Sequence, residues 1–183
     1  MVAFKDLWRN HPINQSNQSP CIVPKDMKVF GKDMRRGMPT FSNQCSIRMG
    51  VALKNAGVSP GAVRGCVTCG VHGPEAMHFI RARELANALV AANIPNVAKV
   101  ERITGPEVQK FYPRLIGRTG IIFFNGYWYR NAQERAARNP TGDHIDVWNG
   151  YRTSAKWLLE WFSWLGYYSN YASGKEIWFW EVK

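Results

Sequence analysis

Two residues in this chain have the chemistry of a nucleophile and its base, and the local pattern around each says where it would stand. Cys45 lies in FSNQCSIRMGVALKNAG, where Ser42 or Asn43 suits a helix N-cap and Gly57 suits a helix stop. Cysteine attacks only as thiolate, and the field at a helix N-terminus stabilises that anion. Backbone N–H groups of the same first turn lack intrahelical partners and can hold an oxyanion. The thiol also needs a base, and the histidines available are His11, His72, His78 and His144. His144 opens HIDVWNG, a strand pattern in which His144, Asp146 and Trp148 share one face and Ile145 and Val147 the other. A strand facing the helix end would hold the imidazole beside the thiol, with Asp146 orienting the ring through its other nitrogen. Cys45, His144 and Asp146 are thus candidates for a Cys–His hydrolase. The plainer alternatives are a small buried hydrophobe at Cys45, a satisfied polar residue at His144 and a solvated or arginine-paired carboxylate at Asp146.

A second group carries metal-ligand chemistry. Cys66-x2-Cys69-x2-His72-x5-His78 sits in and just after a glycine-rich loop. It could be a structural zinc site, a local disulfide formed in an oxidising compartment, or a reduced pair. The spacing departs from common ligand pairs and no second Cys-x2-Cys knuckle exists, so the chemistry is expected to need no metal and no cofactor.

The elements that must position these groups read as follows. Residues 1–40 are taken as an extended arm, polar and aperiodic from residue 10, with a short strand near Cys21 to Val23. In the Cys45 helix, Cys45, Met49, Ala52, Leu53 and Ala56 form one stripe, which puts the thiol on the core-facing side of the first turn. A loop from Ser59 to Gly73 leads to a second helix opened by Gly73-Pro74-Glu75, with Phe79, Ala82, Ala86, Leu89 and Val90 as its apolar stripe. A third helix is expected from the Thr104 cap towards Arg114. Gly120 to Gly126 and His144 to Gly150 read as strands ended by Asn-Gly turns, joined by an arginine-rich connection from Tyr129 to Gly142. Trp157, Trp161, Trp164, Leu165 and Tyr168 suggest a short amphipathic helix, and EIWFWEV a strand buried on both sides. Helices first and strands later predict a single α+β domain, with the Cys45 helix packed on an antiparallel sheet.

Composition narrows the partners. The chain has 183 residues, with 24 Lys and Arg against 13 Asp and Glu and a net charge of +11. An anionic partner is expected: nucleic acid, an anionic membrane or an acidic wall polymer. No stretch approaches the roughly 18 apolar residues of a spanning helix, so no membrane insertion is expected. The first residues lack the apolar core of a signal peptide, which predicts synthesis in the cytosol without general secretory export. Arg48, one turn from Cys45, and the basic loop with Arg130, Arg135 and Arg138 are candidates to meet substrate carboxylates; Trp148 is a further candidate substrate contact. A basic nucleic-acid-binding protein or nuclease is the alternative reading, although no binding motif and no acidic metal cluster supports it.

The segments NQCSIRMGVAL, GRTGIIFF and GDHIDVWNG resemble the fourth family of type VI secretion amidase effectors. The matching positions are Asn43, Cys45, Ile47, Arg48 and Met49, then Arg118, Gly120, Ile121 and Ile122, then His144, Trp148, Asn149 and Gly150. The resemblance implies the papain-like fold of NlpC-type cysteine peptidases. It also implies cleavage of the γ-D-glutamyl–meso-diaminopimelate bond of peptidoglycan stems, after injection by a type VI system into a rival's periplasm. A cognate immunity protein in the producing cell is implied as well. One departure stands out: the family's imidazole-orienting Asp follows Trp-Asn-Gly, whereas here YRTSAKWLLEWFSW contains no Asp and its first acid is Glu160. Asp146 is the expected substitute; Asp143, next to the histidine, would point elsewhere.

Overall fold

The computed structural model describes residues 1–154 and 171–183, and these fall into two compact units, Met1–Pro95 and Asn96–Lys183. The first unit contains a helix absent from the sequence reading, α1 (Phe4–Asn10), which buries Leu7 completely. The arm beyond it is not simply extended. It folds into a ribbon in which Ile22 bridges Pro39 and strands β1 (Met27–Val29) and β2 (Lys32–Met34) pair antiparallel. Phe30 and Gly31 turn that hairpin with φ of 49° and 78°, the double left-handed conformation that matches strand twist in tight hairpins.

Helix α2 (Cys45–Asn55) carries the expected stripe, with Cys45, Met49, Ala52 and Leu53 buried. α1 packs along it, and Asn10 Nδ2 donates to the Asn55 carbonyl at 3.2 Å, satisfying one of the carbonyls that a helix end leaves open. Gly50 lets the other side of α2 touch backbone: a Cβ there would lie 1.9 Å from the Met77 carbonyl oxygen.

The second expected helix is corrected. Gly73-Pro74-Glu75 opens only a 3-10 turn, Pro74–Ala76, which Met77 ends in the left-handed region at φ 52°. Residues 78–80 then pair with 67–69, through Cys69 N–H to the His78 carbonyl and Ile80 N–H to the Val67 carbonyl, both at 3.0 Å. This cross-loop pairing takes the backbone groups a helix would have used. The helix proper, α3 (Ala82–Ala91), starts later and buries Leu85, Ala86, Ala88 and Leu89, leaving Val90 exposed and Phe79 off the helix.

In the second unit, β3 (Glu101–Thr104) leads into a 3-10 stretch, Gly105–Lys110, and a short helix α4 (Phe111–Leu115). One continuous helix from Thr104 would need an N–H that Pro113 lacks. Starting the α-helical turns at Phe111 puts that proline where its missing donor costs nothing. Strand β4 (Gly120–Trp128), helix α5 (Ala132–Ala136), strand β5 (Gly142–Trp148) and strand β6 (Glu176–Glu181) follow. Among the described residues the sheet has the order β3-β6-β4-β5, antiparallel throughout. Its inner strands are buried on both faces, with Ile121 to Phe124 inaccessible and Trp178 and Trp180 in the core. One face packs with Val108, Phe111, Leu115, Trp148 and Tyr171. The chain is thus α+β, as its pattern predicts. The expected amphipathic helix from Trp157 to Tyr168 lies outside the described residues.

Candidate active site

Cys45 is the first residue of α2 and is buried. The helix is entered through Gln44, whose side chain makes no cap bond; instead the Asn43 carboxamide oxygen accepts from Cys45 N–H at 3.1 Å. The cap therefore acts from one position further out than a standard N-cap, and Asn43, not Ser42, supplies it. The first intrahelical bond runs from Arg48 N–H to the Gln44 carbonyl at 2.8 Å. Cys45 thus stands where the dipole favours a thiolate.

His144 and Asp146 lie two apart on β5, so their side chains emerge on the same face. His144 Nε2 is 3.3 Å from Asp146 Oδ2, the histidine slightly exposed and the aspartate fully buried. The other carboxylate oxygen, Oδ1, accepts from Val147 N–H at 2.7 Å and from Ser154 Oγ at 2.5 Å. A buried carboxylate needs such donors, and here they also fix which oxygen faces the imidazole. The ring itself lies beside Phe124, Tyr127 and Tyr171, with Tyr171 near-parallel to it at 6.0 Å.

Ser154 is the member that sequence reasoning missed, and the turn preceding it explains its place. Asn149 Oδ1 accepts from Tyr151 and Arg152 N–H at 3.0 and 2.9 Å. Gly150 takes φ 95°, a left-handed conformation that favours glycine. The turn sends the chain back so that Thr153 bridges Trp148, which sets Ser154 beside Asp146. Asn149 and Gly150 were legible as a turn; what the turn would deliver was not. Asp143 lies on the opposite face, where its Oδ1 accepts from Gly126 N–H at 3.0 Å across a register irregularity in β4.

Trp148 is corrected from a substrate contact to a core residue. It is wholly buried, packs edge-on against Phe111 and Tyr112 and donates its indole N–H to the Leu115 carbonyl at 3.0 Å. Arg48 Nε donates to the Gln18 carbonyl at 2.7 Å, fastening the arm to α2. The basic loop is organised by Glu134, which accepts from Arg130 N–H at 3.0 Å and Thr141 N–H at 3.1 Å, while Arg135 lies over the Tyr129 ring. The Arg130 N–H first, and then the Thr141 hydroxyl, hold the Glu134 carboxyl below its ordinary range.

The metal-like motif is rearranged. Cys66 and Cys69 are both free thiols, and Cys66 stands apart, its thiol pushed up to about 11 by burial and by Glu84. In its place Cys21, from the arm, joins Cys69, His72 and His78. Burial pushes the Cys21 thiol up to about 12. Burial, and then His72 and Lys54, lowers His78 to about 4.

An α+β chain with a thiol at a helix start and an imidazole–carboxylate pair on an antiparallel strand has the parts of a cysteine amidase. The chain belongs to the family of type VI secretion system amidase effector protein 4 (Tae4), whose sequence profile matches residues 41–180. It is therefore a peptidoglycan-hydrolysing amidase and an antibacterial effector. The fold is similar to that of Tae4 from Salmonella Typhimurium in its complex with Tai4, at 20% identity and a TM-score of 0.58, covering 100% of this chain and 99% of that one. It is likewise similar to the type VI effector Tae4 from Enterobacter cloacae, at 19% identity and a TM-score of 0.56, covering 100% and 98%. These likenesses fit the papain-like fold implied by the sequence motifs. No curated protein matches the chain.

Proposed function

We propose that this chain cleaves the γ-D-glutamyl–meso-diaminopimelate bond of peptidoglycan stems in the periplasm of a rival cell, after delivery by a type VI system. Both units serve this one activity. Cys45 is the nucleophile, His144 the general base and acid, and Asp146 the residue that orients the imidazole. The observation that carries the assignment is the His144 Nε2–Asp146 Oδ2 pair at 3.3 Å, in a chain whose family hydrolyses this polymer.

In the first step the thiol proton passes to His144 Nδ1 and the sulfur adds to the γ-carbonyl carbon, the developing oxyanion being met by first-turn N–H groups of α2. The imidazolium then gives its proton to the departing amine of diaminopimelate, leaving a thioester on Cys45. Water, deprotonated by the same imidazole, attacks the thioester, and the acid and the thiol are released. Asp146 stabilises the imidazolium and fixes its tautomer without itself taking a proton. The net charge of +11 favours approach to carboxylate-rich stems and acts on association rate more than on specificity. Arg48 and the loop arginines are the side chains proposed to meet those carboxylates.

The Salmonella and Enterobacter effectors were solved bound to the immunity protein Tai4, and an immunity protein of that kind is proposed for this chain. The test is digestion of purified sacculi followed by mass spectrometry of the fragments. Wild type should release products with a new γ-D-glutamyl carboxyl and a free diaminopimelate amine; Cys45→Ala and His144→Ala should release none while keeping the wild-type circular dichroism spectrum. In a Gram-negative host, export to the periplasm should cause Cys45-dependent lysis, whereas cytosolic production should be tolerated. Fragments cut at another bond would overturn the substrate assignment, and full activity in either variant would overturn the mechanism.

A further inference from the structure

We propose that Cys21, Cys69, His72 and His78 form a structural zinc site that fastens the arm to the loop beside α2. Their ligand atoms all lie within 4.8 Å of one another. Cys21 Sγ is 3.7 Å from His72 Nδ1, and Cys69 Sγ is 3.4 Å from His72 Nδ1 and 3.9 Å from His78 Nδ1. Zinc–sulfur and zinc–nitrogen bonds of usual length at tetrahedral angles put sulfur and nitrogen roughly 3.6 Å apart. The observed separations straddle that value, so an ion can enter the centre with small side-chain adjustments.

The chemistry of the set favours a metal on three further grounds. Two thiolates and two neutral imidazoles around Zn²⁺ sum to zero charge, so a buried site carries no uncompensated ion. Binding is an exchange of two thiol protons for one cation, with no oxidant or reductant involved. Backbone also serves the sulfur: His72 N–H donates to Cys69 Sγ at 3.4 Å, a bond that strengthens when the acceptor is a thiolate. Cys21 is held in place by Gln44 and Thr40, whose bonds to its backbone span 2.9–3.1 Å. Three ligands are buried and His72 is part-exposed, which gives the ion a route in.

Cys66, which the linear motif would have used, is excluded from the set. Cys21 lies 48 positions before Cys69, so only the folded arm brings it in. The ion would therefore join two stretches of chain far apart in sequence, which is where a cross-link restricts the unfolded chain most.

The test uses the full chain, purified under reducing conditions from a zinc-supplied host. Zinc measured by mass spectrometry should be stoichiometric with protein and retained in Cys66→Ser. It should be lost in Cys69→Ser and weakened at least about tenfold in His72→Ala, as expected when one ligand is removed. Cobalt added to the chelator-stripped chain should give the intense visible absorption of tetrahedral thiolate coordination in wild type and Cys66→Ser. Stripping should lower Tm by at least about 5 °C, restored by zinc alone. If the cysteine variant does not fold, the cobalt spectrum and the His72→Ala affinity still decide. The proposal is overturned if the reduced wild type takes up neither metal or if Cys66→Ser loses it.

Discussion

Cys21 and Gln44 hold each other through two reciprocal hydrogen bonds: Cys21 N–H donates to Gln44 Oε1 at 3.1 Å, and Gln44 Nε2 donates to the Cys21 carbonyl at 3.0 Å. Gln44 also reaches the Phe41 carbonyl and immediately precedes Cys45 at the start of α2. One buried carboxamide therefore stands in for a strand neighbour and ties the arm to the entrance of the helix that carries the thiol. Removing one partner of a buried pair leaves the other desolvated and unpaired.

Gln44→Ala should accordingly cost about 1–3 kcal/mol, because the Cys21 N–H is orphaned while the Cys21 carbonyl keeps the Thr40 N–H at 2.9 Å. Urea denaturation of the variant checks this, with a lower midpoint at unchanged m-value as the expected result. A midpoint equal to wild type would mean that water replaces the carboxamide freely.

Ser154→Ala removes a donor to Asp146 Oδ1, which Val147 N–H also serves, and leaves the histidine itself unchanged. A positioning role predicts a fall in kcat of about 10-fold, in the range found for residues that orient a working group, with KM little changed. Asp146→Ala should fall further. Steady-state rates on a soluble stem peptide separate these outcomes, and equal kcat in wild type and Ser154→Ala would remove the serine from the mechanism.

Trp148→Phe keeps most of the core volume but deprives the Leu115 carbonyl of its indole donor. That carbonyl keeps the Arg118 N–H at 3.1 Å, so the expected loss is about 0.5–1.5 kcal/mol for the hydrogen bond, seen as a lower Tm, with KM unchanged well below the transition. A raised KM at unchanged Tm is the signature of a substrate contact and would contradict the buried placement.

Glu101 lies between Arg114 at 2.6 Å and Arg118 at 2.9 Å, and Arg118 also meets Glu181 at 2.9 Å. Burial pushes the Glu101 carboxyl up, but bonds from Arg114 and Arg118 outweigh it and leave the carboxyl below its ordinary value of 4.5. The unfolded chain therefore binds the proton more readily. The stabilisation is fully present above the unfolded value and is lost as pH falls below 4.5 through the folded one. Tm measured from pH 6 downwards should decline less steeply in Glu101→Gln than in wild type. Parallel acid limbs would show that the network contributes nothing to acid sensitivity.

Gly50→Ala tests the contact between α2 and the Met77 loop. The added Cβ would fall 1.9 Å from a backbone oxygen, which cannot rotate away as a side chain could. The variant should lose about 1–3 kcal/mol or more, despite alanine's better helix propensity. Thermal melts check the sign, and a stabilised variant would mean that the loop yields.

What the sequence determined by itself was local. Cys45 at a helix start, His144 and Asp146 on one strand face, and the Asn149-Gly150 turn all follow from periods of 3.6 and 2 and from backbone preferences of single residues. These signals act between neighbours a few positions apart, so they survive without knowledge of the rest of the chain. The tertiary structure decided everything that crosses a longer distance. Cys21 replaced Cys66 beside Cys69 because the arm folds back on itself, and residues 78–80 left the helical pattern because strand-like pairing with 67–69 satisfied their backbone. Ser154 reached Asp146 only through the path of the turn, and Trp148, on the same strand face as His144 by alternation, was claimed by the core beneath Phe111 and Leu115. Alternation tells which side of a strand a residue takes; what waits on that side is set by packing.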